Sequence, residues 1–169
     1  MPFVFDATPS GVSANSWATA AEADDYFGGR RDASAWTNLA SASEKEIVLA
    51  DATLDLESLD YESFPAVVNQ RLKVPRALLY DTDDRPLTTN PIPEIFKRAL
   101  FEHALFKLNQ GRDTAQPTGL EQFASIAVPG AISVTLREGT RAPMFASRAL
   151  TLLAPYLVSV PGQTRVVRT

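Results

Sequence analysis

Apolar side chains recur at helical spacing over four stretches of the chain and at strand spacing over one. The first stretch opens at Thr19-Ala-Ala-Glu22, a capping box in which hydroxyl and carboxylate each satisfy an orphan backbone donor. It stops at Gly28-Gly29. Ser43-Glu-Lys-Glu46 reads as a second capping box, opening a helix over about residues 44–60. Its apolar positions form two sets, Ile47, Ala50 and Leu54 beside Leu49, Ala52, Leu56 and Leu59, and Asp51, Asp55 and Glu57 are expected mostly to face outward. The strongest helix spans 93–109: Pro93 suits the first helical position, where its missing N–H would be unpaired anyway, and Gly111 marks the stop. One of its stripes holds Phe96, Ala99, Leu100 and His103. The other holds Phe101, Leu105 and Leu108, so the helix is either central to its own domain or shared with another subunit.

Ile132, Val134 and Leu136 alternate with Ser133, Thr135 and Arg137, the signature of a half-exposed strand. A last helix is predicted within 143–158. Residues 61–92, with Pro65, Pro75, Pro86, Pro91 and an Asp81–Asp84 turn, read as a long irregular stretch, and 110–128 as a second loop. The expectation is a mainly α domain over 19–158, three to four helices around helix 93–109 with a small β element near 131–137. That element either forms a hairpin or pairs with a neighbouring chain. Extended arms flank the domain at 1–18 and 159–169.

Composition narrows the chemistry. A chain of 169 residues with 45% hydrophobic side chains can bury a sizeable core without cross-links. It holds no cysteine and one histidine, which removes disulfides, thiolate metal sites, cysteine nucleophiles and multi-histidine metal centres. The net charge of −4 is unevenly divided: residues 1–60 carry 11 acidic and 3 basic side chains, 61–120 carry 7 and 8, and 121–169 carry 2 and 5. An acidic front and a basic rear suit head-to-tail packing between copies or docking on a charged partner, and equally a solvated surface. No run of 18 apolar residues and no leader pattern is present, so the expectation is a chain made in a reducing cytoplasm with no membrane partner.

His103 lies mid-helix on an apolar stripe, the setting of a packed histidine rather than an exposed catalytic one. No Walker loop, G-x-G-x-x-G or G-x-S-x-G is present. Asp81-Thr-Asp-Asp84 lacks the later glycine and acid of a calcium loop and reads as a surface turn. No catalytic, metal-binding or cofactor-binding residue is assigned, and an enzyme is not expected. Cationic groups available to a nucleic acid are Lys97, Arg98, Lys107 and Arg112 around the long helix, with Arg165 and Arg168 near the C-terminus.

The order of motifs adds a resemblance. It begins with Ser16-Trp-Ala-Thr19, Ala21-Glu-Ala-Asp24, Tyr26-Phe27 and Trp36, and continues with Ala52-Thr53, Gln70-Arg-Leu72 and Val74-Pro-Arg76. Ile92-Pro93 then opens a helix, and Leu152-Leu-Ala-Pro-Tyr-Leu157 closes the series. Over residues 16–158 the chain resembles the head–tail adaptor (head completion, or connector) proteins of tailed bacteriophages, some of which carry the label DnaT-like single-stranded-DNA-binding protein. Trp17 stands where that family usually has tyrosine, and Val74 where it commonly has tryptophan. The resemblance implies a virion structural protein at the neck between head and tail. Such a protein forms a ring with copies of itself, usually a dodecamer, beneath the portal protein. The ring extends the channel through which genomic DNA passes without sequence-specific binding, and offers a surface to tail or tail-completion proteins. Arg165, Val166, Val167 and Arg168 then suit an arm that adds an edge strand to the portal or another partner. Phe101, Leu105 and Leu108 suit either a shared or a core face. The alternative is a single-stranded-DNA-binding or replication accessory protein.

Overall fold

The computed structural model describes residues 3–110 and 144–161 and, between them, the backbone of strands at 125–128 and 132–135. The elements run α1 (Ala20–Phe27), α2 (Ser34–Thr37), α3 (Ala42–Leu56), β1 (Phe64–Pro65), β2 (Arg76–Ala77), α4 (Glu94–Gln110), β3 (Ser125–Val128), β4 (Ile132–Thr135) and α5 (Ser147–Leu153). The domain is mainly α, with α4 at its centre: α3 and α5 pack on it most extensively, and α1 and α2 also touch it.

Local chemistry explains the starts of α1 and α3 and the turn that follows α5. Thr19 caps α1 as the T-x-x-E spacing requires, its hydroxyl accepting from the Glu22 N–H while the Glu22 carboxylate accepts from the Thr19 N–H at 2.8 Å. Thr19→Ala is expected to lower stability by about 1 kcal/mol, read in chemical denaturation, because it leaves an orphan donor at the helix start. The cap of α3 is Ser41, not Ser43. Ser41 holds the extended conformation an N-cap needs, its hydroxyl accepts from the Glu44 N–H, and the Glu44 carboxylate accepts from the Ala40 N–H. The helix therefore begins two residues before the predicted start and ends at Leu56, so that Leu59 and Tyr61 turn back into the core. After α5, Ala154–Tyr156 form one 3₁₀ turn, since Pro155 has no N–H to continue the α ladder.

Trp17, Phe27, Trp36, Phe96, Phe101, Leu100 and Leu153 are the large side chains at the centre of the core. Both buried indoles keep their N–H satisfied: Trp17 Nε1 donates to Glu57 Oε1 at 2.9 Å and Trp36 Nε1 to Asp24 Oδ1 at 2.8 Å. The predicted N-terminal arm is anchored from its own side of the domain. Asp6 and Asn15 close a loop by reciprocal hydrogen bonds, and Ala14, Ser16, Trp17 and Ala18 are buried.

The β element is a hairpin within the chain: β4 pairs antiparallel with β3, Ile132 opposite Val128 and Thr135 opposite Ser125. The 110–128 stretch read as loop thus contains the strand that partners 132–135. In the 61–92 stretch, β1 and β2 pair antiparallel, Phe64 opposite Ala77, and Tyr61 bridges to Leu157. These two-residue strands are too short to show alternation in a sequence.

Candidate functional site

Helix α4 draws together many of the ionisable side chains singled out above; it turns His103 and Lys107 inward, while Arg98 stays 54% exposed. Lys97 pairs with Glu22 of α1, and Arg98 with Glu94 at 3.3 Å. Lys107 is 8% exposed and lies 2.6 Å from Asp51 and 2.7 Å from Asp55, both on α3. Glu102, also on α4 and buried, meets Arg30, the Tyr26 hydroxyl and Arg148. The cations proposed for a nucleic-acid face at 97–107 are therefore tied to carboxylates, and Arg112 lies outside the described residues.

His103 is fully buried. Its Nε2 lies 3.0 Å from Asp55 Oδ2, and its Nδ1 accepts from the Ala146 N–H at 3.4 Å. Nδ1 as acceptor makes Nε2 the protonated nitrogen of a neutral ring, so the imidazole has both nitrogens engaged and its faces against Phe106 and Phe145. This is a structural strut between α3, α4 and the start of α5. Burial alone would raise the Asp55 carboxyl, but hydrogen bonds from His103 and Lys107, with the Lys107 charge, outweigh it and hold Asp55 below the ordinary carboxylate value. Glu57 goes the other way: burial pushes it up despite hydrogen bonds from Lys73 N and Trp17 Nε1. Both residues were expected to face outward and are drawn inward instead by these partners.

Phe101 and Leu105 are buried within the chain's own core, and Leu108 is half-buried against it. Arg165, Val166, Val167 and Arg168 lie outside the described residues. The Asp81–Asp84 segment is a turn: Asp81 accepts from the Asp83 and Arg85 N–H groups and pairs with the Arg85 guanidinium at 2.9 Å. Among the described residues no group of three His, Asp or Glu side chains is placed to hold a metal ion, and no helix is long and apolar enough to cross a membrane.

Two surfaces go beyond what sequence patterning indicated. The loop 63–80 turns Phe64, Val67, Val68, Leu78 and Tyr80 toward solvent, Val68 being 97% exposed. It contains Arg71, Lys73 and Arg76 and no carboxylate. The Arg71 guanidinium donates to the Ser13 carbonyl at 3.3 Å, and Arg76 donates to the carbonyls of Glu62, Ser63 and Lys73. The second surface is the outer side of α3. Of the two apolar sets on that helix, Leu49, Ala52 and Leu56 are buried, whereas Ile47 and Leu54 are exposed. The only signal for the loop was an acid-free stretch of 18 residues carrying three cations.

The fold is that of a small, mainly helical domain with apolar side chains exposed on a loop that carries three cations. More particularly, the chain belongs to the family described as "Putative DnaT-like ssDNA binding protein", which matches over residues 1–169. No curated protein and no solved structure matches the chain.

Proposed function

We propose that this protein is a non-catalytic structural subunit of a phage virion, a head-to-tail adaptor that assembles with copies of itself into a ring under the portal protein. The observation that carries this reading is the set of large apolar side chains held in solvent on the loop 63–80 and on α3, with Val68 at 97% and Leu54 at 71% exposure. Large apolar side chains grouped in solvent on one loop and one helix face suit protein–protein contact. The ordered motifs over 16–158 support it, as do the ion pairs that tie Lys97 and Lys107 of α4 to α1 and α3. On this reading the protein sits at the neck of the virion after synthesis in the host cytoplasm, the DNA channel passes through the ring, and tail or tail-completion proteins dock on it. No cofactor takes part. Arg165, Val166, Val167 and Arg168 act as the partner-binding arm. Deleting residues 162–169 is expected to weaken joining to portal-bearing heads while the helical circular dichroism stays unchanged; normal joining by the truncated chain would remove the arm from the account.

The second reading, a single-stranded-DNA-binding or replication accessory protein, is favoured by the family description and by Arg71 and Arg76, whose guanidinium groups bond to carbonyls among the described residues. Oligonucleotide affinity that falls steeply with added salt is its signature, because counterion release drives such binding. The adaptor reading expects no measurable affinity for a short oligonucleotide even at low salt.

A further inference from the structure

The loop 63–80 and the outer face of α3 carry opposite charge, and each leaves large apolar side chains uncovered. On the outer side of α3 the acidic groups are Glu44, Glu46 and Asp51, the last 56% exposed although it also pairs with Lys107, whereas Asp55 and Glu57 turn inward. Ile47 and Leu54 stand exposed at 49% and 71%. The loop holds no carboxylate and three cations, of which Lys73 lies 3.7 Å from Asp60 and Arg71 and Arg76 donate to carbonyls, around Val68 and Leu78 at 97% and 69% exposure. Within one copy the two surfaces adjoin across a groove of about 260 Å³, with Ala50, Leu54 and Glu57 on the α3 side and Arg71 and Leu72 on the loop side.

We infer that these two surfaces meet between copies: the loop 63–80 of one copy seats its aliphatic side chains on the α3 face of another. This rests on the self-assembly reading above and names the surfaces that carry it. Charge selects the pairing. α3 against α3 sets carboxylate against carboxylate, and loop against loop sets cation against cation, so only loop against α3 joins opposite charges. Apolar match selects it as well, because Val68 and Leu78 on one side meet Ile47 and Leu54 on the other. The complementary patches are different surfaces of the same chain, which is what permits one copy to bind the next. A nucleic acid would use the three cations and the exposed Phe64 and Tyr80 rings, but it would leave the aliphatic side chains and the whole α3 face in water.

The chain has no cysteine, so engineered thiols report contacts without background. Val68→Cys and Leu54→Cys chains, one carrying a mass tag, are to be mixed under mild oxidation. A tagged–untagged disulfide is expected to form several-fold faster than between Val68→Cys and a Thr37→Cys control. In parallel, Val68→Asp and Leu54→Lys, both at solvent-facing positions, are each expected to weaken self-association at least tenfold. The Val68→Asp/Leu54→Lys double variant, with the charges exchanged, is expected to recover part of that loss. If the wild-type chain self-associates yet the cysteine pair cross-links no faster than the control, or the single variants associate normally, the inference fails and the adaptor reading stands. If Val68→Asp abolishes oligonucleotide binding without altering the assembled mass, the loop is a nucleic-acid surface and the inference fails. If the wild-type chain stays monomeric both alone and with portal rings, the adaptor reading fails with it.

Discussion

Phe96→Ala is expected to lower the free energy of unfolding by about 3–5 kcal/mol, the usual cost of truncating a fully buried aromatic. Phe96 projects from the first turn of α4 into an aromatic cluster: its ring centroid lies 6.1 Å from Trp17, 6.1 Å from Tyr61 and 5.3 Å from Tyr156. Those neighbours come from the N-terminal segment, the turn after α3 and the 3₁₀ turn after α5. One ring therefore joins regions far apart in sequence. Its removal loses both buried area and the ring–ring geometry, and three rigid aromatics cannot collapse into the space. A domain of this size typically loses ~2–4 °C of Tm per kcal/mol, so differential scanning calorimetry is expected to show a drop on the order of 10 °C. Phe96→Leu, which fills part of the space, is expected to lose less than half as much.

Asp55→Asn is expected to cost about 2–3 kcal/mol and to change the pH dependence of stability. One carboxylate oxygen, Asp55 Oδ2, is shared by His103 Nε2 at 3.0 Å and Lys107 Nζ at 2.7 Å. Removing one partner of a fully buried ion pair costs more, about 3–5 kcal/mol. The smaller figure reflects the water still reaching Asp55 and the second carboxylate, Asp51, still holding Lys107. Because the folded state holds the Asp55 carboxyl below its ordinary value of 3.8, its stabilisation is fully present above that value. It is lost as the pH falls through the lower folded value. Urea denaturation at a series of pH values is expected to show wild-type stability falling below about pH 4. Asp55→Asn should start lower and fall less. An equally steep acid loss in the variant would mean that other carboxylates, such as Asp24 or Glu22, dominate that limb.

The parts of the fold that were legible in the sequence are those that local chemistry decides. The T-x-x-E box at Thr19, the glycines after Phe27, and the stripes of α4 each produced the element expected. Where two local solutions competed, the sequence did not choose. Ser41 and Ser43 both stand before a run of acids, and only the extended backbone at Ser41 selects the cap. The two apolar sets of α3 looked alike, and it is the position of α4 that buries Leu49, Ala52 and Leu56 and leaves Ile47 and Leu54 outside. Asp55 and Glu57 read as solvent-facing because their partners Lys107 and Trp17 lie 52 and 40 residues away. The candidate surface was the least legible part. Val68 and Leu78 have no periodicity to flag them, and a proline-rich loop gives no direction to its side chains before it is folded.

The same division applies to the single histidine and to Lys97 and Lys107 of α4. They are chemically distinctive in a list of residues, but in the fold they are struts between helices. The loop 63–80 and the outer side of α3 are where large apolar side chains stay in solvent.

The most direct test of the account is the mass of the wild-type chain by multi-angle light scattering, alone and mixed with isolated portal rings. A complex whose mass exceeds that of the portal ring by a defined multiple of the 18.4 kDa chain is the expected result. A monomer mass under both conditions, with salt-sensitive binding of a single-stranded oligonucleotide instead, would contradict it.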